Sequence, residues 1–268
     1  MKFAVLYSKK DEAGVNIASC LSRYFLPHVP VIELDKESIY NENADEKIPE
    51  IRYTDFIIFA TKHQSAAKVP SLSVHAPGNW RNADFGGKPG KICKTSALAL
   101  KFLFQKLNKN AKSMMPELEH NITLEVTHHG PLIEKIPCCF IEIGSSSENW
   151  KNKKLGEIIA KTISDFQDFK PDKKIKTAIA IGGPHYAPNF SKIQLSSSSN
   201  IAISHIIPEY SLPLNENMLK EAIEKTSEHI DMVLIDWKGC GNSESRQQII
   251  SMIEKTGISH ERAERVEK

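Results

Sequence analysis

The chain has 268 residues, and 35 Lys+Arg against 33 Asp+Glu leave a formal net charge of +2. With 40% hydrophobic and 25% charged residues its composition is that of an ordinary globular protein, which excludes disordered, fibrous and low-complexity chains. A near-neutral total neither predicts nor excludes an anionic partner, so the placement of charges and of the ten histidines has to decide.

Phe3–Tyr7 reads as a short buried strand, too short for the apolar region of about 7–15 residues in a signal peptide. No run approaches the ~18 apolar residues of a membrane span. The five cysteines (Cys20, Cys93, Cys138, Cys139, Cys240) are odd in number and form no CxxC pair. That pattern is neither a disulfide framework nor a thiolate zinc site, and it predicts small buried thiols in a reducing cytoplasm. Val15, Ala18, Leu21, Ser22 and Phe25 fall at helical spacing, and Pro27 ends the run. Val29–Leu34 is a second strand. Asp55–Ala60 is a continuous apolar strand covered on both faces. The Pro- and Gly-rich stretch 61–91 is a long loop with one strand-like piece, Leu72–His75, and loops of that length are usually functional.

Ser96 caps a helix over Ser96–Leu107 with Leu100, Leu103, Phe104 and Leu107 on one face. Asn121–Thr127 alternates as a strand, and Cys138–Ile143 is another. A helix runs from Asn149 or Trp150 to about Phe166. Strands follow at Thr177–Ile181, Ile201–Ile207 and Met232–Asp236, with helices at Asn217–His229 and Ser243–Thr256. Strands alternating with helices predict an α/β fold with a mainly parallel sheet and helices on both faces.

In such folds ligands bind beyond the carboxyl ends of strands. Five histidines, His63, His75, His128, His129 and His185, stand just past a strand in this reading, and that shared position predicts one pocket. His28, His229 and His260 lie outside it. Neutral imidazole suits zinc, and protonated imidazole suits general acid work. His128 and His129 would point to opposite sides of an extended backbone, so both could serve one metal only through a turn. Glu125 and His128 are an i, i+3 pair that a strand would weaken as a chelate. No HExxH, GxSxG, Walker A loop or GxGxxG occurs, which disfavours a helical metalloprotease, a serine nucleophile elbow, nucleotide hydrolysis and dinucleotide binding. Gly182 and Gly183 either present N–H groups to an oxyanion or phosphate or form a tight turn. Gly144–Ser147 leads into a helix as a phosphate site or a plain N-cap.

The charge is unevenly spread. Residues 33–55 carry eight acids and net −5, whereas residues 88–112 carry seven lysines and no acid. Residues 151–176 add eight lysines against four acids. Two basic stretches in a nearly neutral chain suggest a positive side for an anionic partner. No helix-turn-helix, RNP motif or zinc finger occurs, so DNA or RNA sequence reading is not expected.

FATKHQS (59–65), HAPGNW (75–80), FGG (85–87), EVTHHGP (125–131), FIEIGSS (140–146), GGPHYAP (182–188), SHIIPEY (204–210) and DWKG (236–239) occur in this order. Together they closely resemble the archaeal-type D-aminoacyl-tRNA deacylases, a family also found in plants. Lys62 and Gln64 depart from the more basic character expected beside the first histidine. The resemblance implies a three-layer α/β/α sandwich with a mainly parallel, mixed central sheet, similar to phosphorylases and peptidyl-tRNA hydrolases. It also implies a single domain over 1–268, with a sub-lobe inserted around 61–120. The implied reaction hydrolyses the ester joining a D-amino acid to the 3′ end of tRNA. The implied enzyme is zinc-dependent, monomeric and cytoplasmic, with tRNA and the D-amino acid as partners and no DNA or membrane.

For that reaction the catalytic candidates are His128, His129 and His185, then His63 and His75. Glu125, His128 and His185 are the metal candidates. Gly182 and Gly183 would contact an oxyanion or phosphate. Asn79 joins Trp80, Phe85 and Tyr186 as substrate contacts, the aromatic rings stacking the unpaired 3′ bases. Lys88, Lys91, Lys94 and Lys101 would hold the acceptor-stem backbone. Catalysis by the substrate's own ribose hydroxyl is an alternative to a metal. A zinc aminopeptidase or amidohydrolase on a related fold is the competing enzyme class, but its sites are richer in Asp and Glu. A non-enzymatic tRNA or nucleoside binder would need the lysines but not the histidines.

Overall fold

The computed structural model describes residues 1–66, 68–196 and 198–266. Its strands form two sheets. The first contains β1 (Phe3–Ser8), β2 (Val31–Leu34), β3 (Phe56–Gln64), β4 (Ser71–His75), β5 (Ile122–Leu124) and β6 (Cys138–Ser145), in the order β2-β1-β3-β6-β4-β5. The second contains β7 (Lys176–Ile181), β8 (Ile201–Ile207), β9 (Met232–Ile235) and β10 (Ser259–Arg262), in the order β10-β9-β7-β8. Every pairing is parallel except β4 with β6. The α/β class and the parallel bias match the sequence reading, while the strands divide over two sheets instead of one.

The division has a local cause. The expected strand 121–127 ends at Leu124: Glu125 N–H still donates to Val74 O on β4, but the N–H groups after it leave the sheet. Val126 N–H donates to His185 O at 3.1 Å and Thr127 N–H to Ile206 O at 3.1 Å. The segment after β5 therefore joins the two sheets.

Side chains alternate across a strand, and this sorts the first sheet into two faces. Ile58, Ala60, Leu72, Val74, Ile141 and Ile143 pack with α1 (Glu12–Leu21), α3 (Ala97–Met114) and α5 (Lys153–Asp165). Ile57, Phe59, Cys138 and Phe140 face the other way, under Ala44 and Ile51 and under Leu132 and Ile133. Ala44 begins the short α2 (Ala44–Lys47), and α4 (Ser147–Trp150) precedes α5. The second sheet carries α6 (Pro188–Leu195), α7 (Glu216–Glu224), α8 (Ser243–Glu254) and the terminal α9 (Ala263–Val266). All five cysteines are free and buried, as their spacing predicts. Among the described residues no helix is long and apolar enough to cross a membrane.

Two expectations about helices change. The Asp11 side chain caps α1 by accepting from Ala13 and Gly14, so the helix buries Ala13, Ile17, Cys20 and Leu21. Val15 and Phe25 face solvent instead. In α3 the Ser96 cap forms as expected, accepting from Ala99 N–H. Lys101 is not a surface lysine, however. It is 5% exposed, and its ammonium donates to Gln194 O at 2.8 Å, Ser196 O at 3.0 Å and Ile193 O at 3.5 Å. It satisfies carbonyls left open at the end of α6, where a cation is favoured. Burial pushes its pKa down to about 8.

The exchange Lys101→Met should therefore lower the free energy of unfolding by about 1.5–3 kcal/mol, because charged hydrogen bonds to buried carbonyls are lost. Lys109→Met, on the exposed side of the same helix, should change it by less than about 0.5 kcal/mol. Urea titration of both variants checks the contrast.

Candidate active site

The site begins with one carboxylate on a sheet face. β6 is buried along its whole length, and Glu142 is the only charged side chain in it. Its register partners are Thr61 on β3 and Ser73 on β4. Their hydroxyls donate to Glu142 at 3.1 Å and 3.5 Å. Two residues along each strand, on the same face, come His63 and His75. His63 Nδ1 lies 3.5 Å from Glu142 Oε2, and His75 Nε2 lies 3.6 Å from Oε1. Because β4 runs antiparallel to β6, His63 and His75 leave opposite ends of their pairings. They meet over the middle of the sheet face and not at a common strand end. Phe140 continues the floor and stacks on His75 with ring centroids 5.3 Å apart.

The second wall is the segment 125–132. Glu125 N–H donates to Val74 O, Val126 to His185 O and Thr127 to Ile206 O. The carbonyls of His128 and His129 both accept from Gly78 N–H. His129 takes φ +45°, in the left-handed region. That is the turn the sequence required, and it brings the two imidazoles to centroids 4.3 Å apart. Glu125, 2% exposed, sits among three rings: His63 Nδ1 at 3.4 Å, His128 Nε2 at 3.5 Å and His185 Nε2 at 3.2 Å. Neither of its oxygens receives a properly aimed hydrogen bond, and His75 Nε2 has none either.

The electrostatics separate the imidazoles. At His63 burial opposes the charge, but Glu142 and Glu125 prevail and push the pKa up to about 10. At His75 burial is likewise overcome by Glu142, and the pKa rises. Burial, then the charge of His75, holds His129 down to about 4. Burial and the neighbouring His75, His129 and His185 hold His128 well below its ordinary value. Burial would raise both carboxylates, but His63 and His75 keep Glu142 low and His185 keeps Glu125 low. The carboxylates thus favour the charged form at His63 and His75, whereas burial favours the neutral form at His128 and His129.

Three groups of these atoms lie close enough to hold a metal ion, within 4.8 Å of one another: His75, His128 and His129; His63, Glu125 and His185; and His75, Glu125 and Glu142. The expected set Glu125, His128 and His185 is divided between the first two. Nitrogen and carboxylate oxygen donors suit zinc, and the unpartnered buried atoms of Glu125 and His75 fit a site with a cation.

The chain matches the D-aminoacyl-tRNA deacylase family over residues 51–261, which contain every residue of this cluster. A D-aminoacyl-tRNA deacylase of Methanocaldococcus jannaschii is 38% identical, covering 98% of this chain and 100% of its own length. One of Pyrococcus furiosus is 36% identical over 95% of this chain and 97% of its own length. The chain belongs to the D-aminoacyl-tRNA deacylase family. A crystal structure of a conserved protein of unknown function superposes with a TM-score of 0.88 and 28% identity, covering 99% of this chain and 96% of that one.

The family motifs serve two purposes here. The five histidines and Glu125 converge as described. Several other motif residues position backbone instead. Asn79 is buried and donates to Gly86 O at 2.8 Å. Trp80 is 6% exposed and donates to Ile206 O, so it pins the loop to β8 and is not available to stack a base. Gly182 spends its N–H on Ile207 O, and a Cβ there would meet Asp236 O at 2.9 Å. Gly183 is buried against the backbone of Gly239. Both glycines take a positive φ, +92° and +85°, and the Gly182 N–H is not available to an oxyanion. Phe85 and Tyr186 remain exposed near the cluster. Lys88 and Lys91 are exposed and Lys94 is half-buried, with Lys91 paired to Glu221. Lys101 is internal, and α3 covers the sheet face opposite Glu142, so its lysines do not border the site.

Glu142 was missed by the sequence reading, although an acid inside the apolar run CCFIEIG was a usable signal. Glu42 gave no such signal. Its carboxylate accepts from Gly87 N–H at 2.6 Å and Leu132 N–H at 2.7 Å, tying the loop before Lys88 to the turn of His129. Asp45 accepts from Lys135 and Ile136 in the same way. Part of the acidic run is therefore scaffold for the site loops. Glu42→Ala should loosen both at once. Amide hydrogen exchange should rise in 85–91 and 128–136 and stay unchanged in α5, with about 1–3 kcal/mol lost on unfolding.

Proposed function

We propose that this protein hydrolyses the ester bond of D-aminoacyl-tRNA, releasing the free D-amino acid and tRNA. The observation that carries this reading is the convergence of five imidazoles on two buried carboxylates in a chain of this family. Five free, buried cysteines support a reducing compartment such as the cytoplasm.

Ester hydrolysis needs a base for the attacking water, a positive group for the oxyanion and a proton for the leaving ribose oxygen. His185 is the most exposed ring of the cluster, and its Nε2 is backed by Glu125. That carboxylate–imidazole unit suits the base, and the proton of water reaches its outward Nδ1 by way of the Tyr210 hydroxyl beside it. His63, kept protonated by Glu142 and Glu125, supplies positive charge and gives its proton to the ribose oxygen as the acyl C–O bond breaks, and the proton taken up by His185 then restores it. Glu142 holds His63 and His75 on one surface and keeps that charge in place.

The inner group His75, His128 and His129 would hold zinc. Each of these rings places Nδ1 on a main-chain carbonyl, at 3.2 Å, 2.8 Å and 2.7 Å, which leaves Nε2 for the ion. When bound, zinc supplies Lewis acidity for water or for the ester carbonyl. Exposed Phe85 and Tyr186 offer faces for unpaired 3′ bases, and Lys88 and Lys94 offer phosphate contacts.

Incubation of D-Tyr-tRNA and L-Tyr-tRNA with the protein tests the reading. The D-ester should be cleaved in preference, and equal cleavage of both, or none, overturns the proposal. Chelation should abolish cleavage and added zinc should restore it; cleavage that survives complete metal removal overturns the zinc role alone. His128→Ala and His185→Ala should each reduce kcat about 100-fold or more. Metal analysis of purified protein should show zinc lost in His128→Ala.

A further inference from the structure

Each of the five imidazoles uses one nitrogen toward the cluster and the other for support, but the supports differ. For His75, His128 and His129 the supporting group is a carbonyl, of Ala76, Val126 and Gly130. A carbonyl only accepts, so Nδ1 must carry a hydrogen and the tautomer is set by local backbone. His63 and His185 lack such a carbonyl. Their outward nitrogens meet phenols: His63 Nε2 lies 3.1 Å from Tyr186 Oη, and His185 Nδ1 lies 3.5 Å from Tyr210 Oη. The phenols come from separate segments, 186 in the turn that Ala187 N–H closes on Pro184 O and 210 in the helical turn Glu209–Ser211. Both rings reach solvent, with 39% and 59% exposure.

We infer that Tyr186 and Tyr210 are the positioning residues of the outer pair: each hydroxyl holds one imidazole by its outward nitrogen, so that the other nitrogen addresses Glu125. A phenol both donates and accepts, so it supports an imidazole in either tautomer, which a carbonyl does not. The inner three rings are held by fixed supports, as a metal set requires. The outer two are held by adaptable ones, as groups that exchange a proton with substrate require. The exposed phenol rings would also line the entrance, so hydroxyl and ring have separable roles. This assignment rests on the deacylase reading above.

Tyr→Phe and Tyr→Ala variants at both positions test it with two readouts. In Tyr186→Phe and Tyr210→Phe, kcat for D-Tyr-tRNA should fall about 10–100-fold with KM within about twofold, because orientation is lost and the ring is kept. The alanine variants should raise KM further. Independently, long-range ¹H–¹⁵N spectra of the purified full chain report imidazole tautomers. His128 and His129 should show the neutral Nδ1–H pattern in every variant. Tyr186→Phe should move the Nε2–H signal of His63, which loses its phenol acceptor, and Tyr210→Phe should change the tautomer pattern of His185. Unchanged His63 and His185 signals, or phenylalanine variants within twofold of wild-type kcat, overturn the assignment. A wild-type protein inactive on D-Tyr-tRNA overturns the deacylase reading instead, and the spectra still judge the tyrosines.

Discussion

The structure depends on burying two carboxylates, Glu125 and Glu142, that water can scarcely reach. An isolated buried carboxylate costs several kcal/mol, and the cost is offset only by close partners. The partners here are imidazoles, brought from β3, from β4, from the turn after β5 and from the loop after β7. Each imidazole is itself costly to charge when buried. The cluster is stable because opposed costs cancel among groups that must all be present together. That mutual dependence explains why the motifs containing His63, His75, His128, His129 and His185 converge on a single site.

Much of the remaining chain exists to hold that cluster in register. The backbone from 125 to 132 spends successive hydrogen bonds on different neighbours: β4, the His185 loop, β8, and the loops at 78 and 85. Where segments 39, 86 and 130 touch, there is no room for side chains. A Cβ on Gly130 would stand 2.4 Å from Gly86 and Gly87, and one on Gly86 would stand 1.8 Å from Ile39 O. Glu42 closes the same junction by accepting from Gly87 and Leu132. Much of the acidic run 33–55 is likewise engaged, with Glu37 on Lys62 and Glu46 on Lys135. Part of the net charge of −5 in this run is therefore spent on holding loops together.

The sequence was most legible where chemistry and pattern coincide. The helical period found α3 with its Ser96 cap, and the apolar runs found β3, β6 and β7. The motifs found all five histidines and Glu125. It was least legible where a residue type is ambiguous. Trp80 looks the same on paper whether it stacks a base or pins β8 through its indole N–H. Lys101 looks like its neighbours, since only the end of α6 gives its ammonium three carbonyls. Glycines have the same difficulty: the N–H of Gly182 suits an oxyanion on paper, and only the placement of Ile207 shows that it is already used.

The net charge and the histidine count fixed neither partner nor site, but the order and spacing of motifs were enough to define the family and the α/β class. Those properties are carried by local pattern: strand and helix period, turn residues, and runs of residues in chain order. Which nitrogen faces which carboxylate, which lysines are internal and which tyrosines support an imidazole depend on contacts between residues far apart in sequence. His63 and Tyr186, or Glu42 and Leu132, approach one another only after two sheets have packed. Only tertiary structure could decide those pairings, because hydrogen bonds and burial are properties of distance in space and not of position along the chain.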